Sequence, residues 1–147
     1  MDEKYHLALK TAFASEYAFA LKTQNFHWNV EGPNFPQYHA LFEKIYTEVY
    51  DVIDTFAENL RKAGTYTPAS FTRFSMLSIV DDETDIPPAN QMLQELLHDS
   101  DKMANIFRIT FDMAEAAGDH GLSNFLADRQ DAHKKHSWML RATLRND

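Results

Sequence analysis

His27 and His39 flank a bend in the stretch NFHWNVEGPNFPQYHALFEK, residues 25–44. Gly32, Pro33 and Pro36 lie between them, and Pro33 stands six residues from each histidine. If the flanking segments are helices folded into an antiparallel hairpin, these equal offsets bring the two imidazoles to one height, where they can converge on a single ion. Two imidazoles alone make a poor iron site, because iron usually takes carboxylates as well. Asp54 and Glu58 supply candidates: four residues apart in the run VIDTFAENL, they share one helix face. Asp54, however, lies fifteen residues beyond His39, roughly 22 Å along a helix at the standard rise. One chain cannot close that gap around an ion, but a twofold dimer can. Two copies of the second helix, antiparallel about an axis near Tyr46 and Thr47, set residue 39 of one against residue 54 of the other. Such isologous packing is the commonest oligomer contact. Each dimer then holds two sites, each with His27 and His39 from one subunit and Asp54 and Glu58 from its mate.

Simpler readings stand beside this one. Either histidine taken alone reads as a core residue bonded to a backbone carbonyl. Asp54 and Glu58 taken alone read as a solvated face, with Glu58 paired to Arg61. Glu43, four residues after His39, is either a further acidic ligand or a plain surface acid. Glu95-Leu-Leu-His98 has the E-x-x-H spacing of di-iron bundles, but such a centre needs a second copy and two further glutamates, and Glu3-Lys-Tyr-His6 stands near a helix end. The acidic run from Asp81 to Asp85 lacks the glycine and final glutamate of a calcium loop and reads as solvated. His133 and His136 share a helix face, yet Lys134 and Lys135 beside them point to an exposed surface. The methionines and phenylalanines fall at helical spacing and read as core.

The elements that must position these residues follow from periodicity and breakers. Apolar residues at helical spacing (Leu9, Phe13, Tyr17, Ala20, Leu21, Trp28) predict a helix from about Glu3 to Val30, ended by Gly32-Pro33. A second, carrying Leu41, Ile45, Val49, Ile53, Phe56 and Leu60, runs from about Phe35 to Ala63 and stops at Gly64. Residues 65–88 are rich in Thr, Ser, Pro and acid, with room for a short helix at SFTRFSML. Two more helices follow, from about Ala89 to Ala117 and from Leu122 to Leu144, the latter through Phe125, Leu126, Trp138 and Leu140. Short, long and short connections predict an all-α, ferritin-like four-helix bundle whose one long crossover carries a short helix. The whole chain, 1–147, reads as one domain.

Composition narrows the chemistry. There are no cysteines, which excludes disulfides, iron–sulfur clusters and thiolate zinc sites and fits a reducing compartment. No apolar run approaches the length of a membrane span, and MDEKYHLALK lacks a signal-peptide core, so the expected setting is soluble and cytoplasmic. Net charge is -8, a surface that favours cations over phosphate.

The run His27-Trp28-Asn29-Val30-x-Gly32-x-x-Phe35-x-x-x-His39, with Asp54-x-x-Ala57-Glu58 downstream, resembles the Dps proteins, or mini-ferritins. The motif H-x11-H-x14-D-x3-E matches at all four positions, and Glu43 falls where the family often has an acidic fifth residue. The likeness is close in the first two helices and weaker towards HSWMLRATL. It implies hollow dodecamers built from twofold dimers of four-helix subunits. It further implies ferroxidase activity, an oxidoreductase chemistry in which Fe(II) is bound at inter-subunit sites by His27, His39, Asp54 and Glu58. The oxidant would be hydrogen peroxide, with ferric mineral stored inside and DNA protected from oxidative damage. By the same resemblance Trp28 would donate an electron, and Glu115 and Asp119 would line a pore that admits iron, with His120 and Asn124 where further acids are expected. Some members coat DNA through a lysine-rich tail. Here Lys4 and Lys10 stand beside Asp2 and Glu3, and Arg141 and Arg145 precede a final Asp147, so direct DNA binding is expected to be weak or absent. The rival reading is a non-enzymatic Dps-like shell that compacts DNA or acts structurally.

Overall fold

Three glycines with positive φ mark where the long helices stop: Gly32 at 123°, Gly64 at 99° and Gly118 at 74°. In the computed structural model, which describes residues 3–145, the helices are α1 (Glu3–Asn29), α2 (Phe35–Lys62), α3 (Phe71–Leu77), α4 (Ala89–Ala116) and α5 (His120–Leu144), and the glycines part α1 from α2, α2 from α3 and α4 from α5. Asp2 and Asp147, used above in weighing the terminal charge, lie outside the described residues. Pro36 sits in the first turn of α2, where its missing N–H goes unnoticed. Ser70 caps α3 by accepting from the Arg73 backbone N–H at 3.2 Å. α5 begins two residues earlier than expected, because Asp119 O accepts from Ser123 N at 2.9 Å and closes a first turn that takes in Gly121.

Contacts between helices fix their directions. His27 meets His39, so α1 and α2 are antiparallel. Lys22 meets Asp99 while Tyr5 meets Asp119, so α4 runs opposite to α1. Ser100 meets His133 and Glu115 meets Ser123, so α5 runs opposite to α4. α2 and α4 are therefore parallel, which only a crossover the length of the bundle allows, and α3 rides on that crossover against α1. The ferritin-like four-helix bundle is the architecture of this chain.

The core is aromatic at its centre. Phe56 lies 5.3 Å from Phe13, 5.2 Å from Phe125 and 5.8 Å from Phe107, joining α2 to α1, α5 and α4. Leu21 and Trp28 are not part of the α1 stripe: they are 45% and 61% exposed, while Phe19 and Phe26 are buried. Each exposed residue lies two positions from a buried one, about 200° round the helix, so both face away from the bundle. Trp138, Phe71 and Met76 are likewise outside the core, at 62%, 84% and 72% exposure, although their spacing read as core.

Candidate metal centre

The bend between α1 and α2 brings the two histidine rings face to face, with centroids 3.8 Å apart and planes 14° from parallel. Each ring is held by the backbone of the other residue. His27 Nδ1 lies 2.7 Å from His39 O, and His39 Nδ1 lies 2.7 Å from His27 O. A carbonyl oxygen only accepts, so both Nδ1 atoms carry the proton and both Nε2 atoms present a lone pair. This outer bond fixes tautomer and ring orientation in metal-binding histidines. The simple reading of each histidine, bonded to a carbonyl, is therefore correct, and it leaves each Nε2 without a carbonyl partner. Phe35 stacks on His39 at 5.0 Å and Tyr46 packs edge-on to His27 at 5.2 Å.

Glu43 lies next to this pair. Its Oε1 lies 3.7 Å from His27 Nε2. With Nδ1 holding the ring proton, the two facing atoms are both electron-pair donors, and a cation about 2 Å from each would relieve their repulsion. Asp54 and Glu58 are on the same helix, one turn apart, and both side chains are exposed on the lone protomer. Neither lies beside the histidines of its own chain. Among the described residues no group of three or more His, Asp or Glu is arranged to hold a metal ion within one chain. Trp28 is exposed beside the histidine pair. Glu115 and Asp119 stand at the α4–α5 corner. There Glu115 accepts from Ser123 Oγ at 2.5 Å and lies 3.6 Å from His120 Nδ1, and Asp119 accepts from Tyr5 OH at 3.3 Å. The hydrogen bond from Ser123 holds the exposed Glu115 carboxyl below its ordinary range.

Glu95 and His98 form no metal pair. Glu95 lies 3.3 Å from Lys22 Nζ, which also reaches Asp99 at 2.8 Å, while His98 is exposed. His133 and His136, read as surface, are buried at 0% and 4% exposure. Their faces turn inward because the partners are inside: His133 Nε2 lies 2.6 Å from Glu16 Oε1, and His136 Nε2 donates to Glu48 Oε1 at 2.8 Å. Arg129 bridges both acids, donating to Glu16 Oε2 at 3.1 and 3.0 Å and to Glu48 at 2.5 and 3.1 Å. Burial alone would raise both carboxyls. His133 and Arg129 outweigh it at Glu16, and His136 and Arg129 bring Glu48 down to about 2. Lys134 and Lys135 occupy the opposite, exposed face. The bundle centre thus has acids and imidazoles from three helices, but a guanidinium fills the place between the acids.

The family model for the Ferritin-like domain matches residues 7–147. The chain is 32% identical over 124 residues to the DNA protection during starvation protein of Brevibacillus brevis, covering 84% of this chain and 83% of that one. The chain belongs to the Dps family. Among solved Dps structures, that from Thermosynechococcus elongatus superposes with a TM-score of 0.94 at 25% identity, over 99% of this chain and 92% of that one. The Dps protein of Vibrio cholerae O1, described as a member of a broad superfamily of ferritin-like diiron-carboxylate proteins, gives a TM-score of 0.91 at 29% identity, over 97% and 90% of the two chains. Such agreement along nearly the whole length covers the crossover and α3 as well as the four long helices. No helix among the described residues is long and apolar enough to cross a membrane.

Proposed function

We propose that this Dps protein is a ferroxidase: it binds Fe(II) where two protomers meet, oxidises it with hydrogen peroxide, and stores the ferric product inside a dodecameric shell. The observation that carries the reading is the locked histidine pair, both Nε2 lone pairs free and one of them facing Glu43 at 3.7 Å. One protomer holds only that half. Asp54 and Glu58, two acids exposed on one turn of α2, are the other half, supplied by the mate. Iron is the substrate here. The imidazoles hold the ferrous ion, the hard carboxylate oxygens favour the ferric state, and a coordination position left open admits peroxide. Consuming Fe(II) and peroxide together removes both reagents that generate hydroxyl radical, which protects DNA without touching it.

The surface supports self-assembly. Tyr66, Phe71 and Met76 are 78%, 84% and 72% exposed around the crossover. Phe71 lines an open cavity of about 390 Å³ together with Ile53 and Ala57, on the helix that carries Asp54 and Glu58. Large apolar side chains grouped in this way mark a protein interface. The test mixes the anaerobic Fe(II)-loaded protein with peroxide and follows ferric absorbance. Oxidation much faster than in protein-free buffer is expected. The His27→Ala/Asp54→Ala double variant should lose it while keeping a mass by light scattering of about 200 kDa, twelve copies of 17.0 kDa. A wild-type rate no faster than buffer, together with retardation of duplex DNA in a gel at moderate salt, would favour a DNA-compacting shell.

A further inference from the structure

Five ionisable side chains meet inside the bundle, and none of them takes part in the proposed iron site. Arg129, His133 and His136 fall at i, i+4 and i+7, so they share the inward face of α5. Glu16 comes from α1 and Glu48 from α2. Glu16 and His133 are wholly buried, and Arg129 and His136 nearly so. Glu48 alone of the five is partly exposed, at 35% of its side chain. Stability does not call for such a cluster. Burying charge costs desolvation, and apolar side chains of similar volume often serve a core as well or better. Metal sites of four-helix bundles, by contrast, are built in the core from acids and imidazoles on facing helices.

The geometry centres on one nitrogen. Arg129 Nη2 donates to Glu16 Oε2 at 3.0 Å and to Glu48 Oε1 at 3.1 Å, so both acids turn an oxygen to the same point. The imidazoles sit on the same carboxylates. His133 Nε2 lies 2.6 Å from Glu16 Oε1, and His136 Nε2 lies 2.8 Å from Glu48 Oε1. The two rings are 5.4 Å apart between centroids. An ion in place of Nη2 would need each oxygen to close by about 1 Å to make a metal–carboxylate bond. Two carboxylates and two imidazoles are a set that divalent zinc, cobalt and iron accept. An outer partner is present too: Ser100 Oγ lies 3.2 Å from His133 Nδ1, where it can accept the ring proton and free Nε2 for a metal. Ser100 in turn donates to His133 O at 3.0 Å. Charge points the same way. Two carboxylates call for two positive charges, and the guanidinium supplies one where a divalent ion would supply both.

We propose that Glu16, Glu48, His133 and His136 are the ligands of a divalent-metal site in the bundle core, and that Arg129 holds this site shut as a built-in cation. The guanidinium satisfies both acids from within the chain, so a ferrous ion finds no free carboxylate in the protomer interior and is left to sites outside it. Arginine suits the role, since its guanidinium stays charged at every physiological pH and its planar fork spans two carboxylates. Glu48, at the partly exposed edge, marks the way in. The inference does not rest on the ferroxidase reading, because it concerns only which cation these four side chains hold.

Cobalt(II) tests this, because it takes the ligands Fe(II) takes and absorbs visible light when nitrogen and oxygen bind it. The parent protein is the assembled His27→Ala/His39→Ala shell, in which the histidines of the bend cannot contribute. After desalting, the parent should retain no cobalt that depends on His133 and His136. Adding Arg129→Ala should give one tightly held Co(II) per subunit with visible absorption, and further adding His133→Ala/His136→Ala should remove it. Cobalt should also raise the melting temperature of the Arg129→Ala protein and leave that of the parent unchanged, because the ion takes over the place of the guanidinium. Arg129→Lys, which keeps a cation, should exclude cobalt as the parent does. An assembled Arg129→Ala shell that retains no cobalt would overturn the proposal. So would cobalt that stays after both core histidines are removed, parent protein whose bound cobalt is lost with those histidines, or an Arg129→Lys protein that binds it as tightly as Arg129→Ala. If Arg129→Ala does not fold by itself, it is refolded with cobalt. Recovery of the shell with one Co(II) per subunit then supports the site, and failure both with and without the ion overturns it.

Discussion

Arg129 is 2% exposed and holds together two acids from different helices, Glu16 and Glu48. Replacing it with methionine fills much of the volume but leaves Glu16, fully buried, without its guanidinium. Breaking a buried pair from one side costs about 3–5 kcal/mol. Arg129→Met should therefore lower the urea unfolding free energy by about that amount, whereas a loss below 1 kcal/mol would show that His133 alone compensates Glu16. Nothing local in the sequence announced this cluster. Its partners lie 81 to 117 residues apart, and the lysines between the two histidines suggested the wrong face. The histidine pair was legible because the signal is local: two identical residues, equally spaced from a breaker. The contacts of Phe35 with His39 and of Tyr46 with His27 were not legible, because they depend on side-chain rotation inside the hairpin.

At the scale of elements, the same cluster ties α5 to α1 and α2 and makes the tie sensitive to acid. Burial pulls His136 below its ordinary 6.5, against the opposing hydrogen bond to Glu48. Glu48 falls from an ordinary 4.5 to about 2. Both folded values lie below the unfolded ones. Each group's contribution is thus complete above the unfolded value and is lost as pH falls. The melting temperature should hold from about pH 8 to the ordinary histidine value, decline below it, and fall more steeply between 4.5 and about 2. Circular dichroism melts across this range check it, and Glu48→Gln should flatten the lower segment. A melting temperature that rises on acidification would contradict the account. The helices themselves were readable to within two residues at every end, since Gly32, Gly64 and Gly118 stop them by backbone geometry. Which apolar residues face inward was less readable. Leu21 and Trp28 fit a helical period as well as Phe19 and Phe26 do, and only packing against the other helices chooses between the two stripes.

At the scale of the whole molecule, the distance between the two halves of the site dominates. Fifteen residues separate His39 from Asp54 along α2, one unbroken helix from Phe35 to Lys62. Sequence reasoning arrived at the proposal of sites shared between protomers because helical rise turns a count of residues into a length. It could not reach the apolar surface around the crossover, because exposed Phe71 and Met76 looked like core. The most direct measurement of the central claim uses two broken proteins. His27→Ala/His39→Ala and Asp54→Ala/Glu58→Ala should each fail to oxidise Fe(II) rapidly with peroxide. Unfolded together in equal amounts and refolded into mixed shells, half of their dimers should pair one variant with the other, and each such dimer regains one intact site of two. The account predicts recovery of about one quarter of the wild-type rate. Mixed shells of normal mass that recover no activity would contradict it, since all four ligands would then have to come from the same protomer.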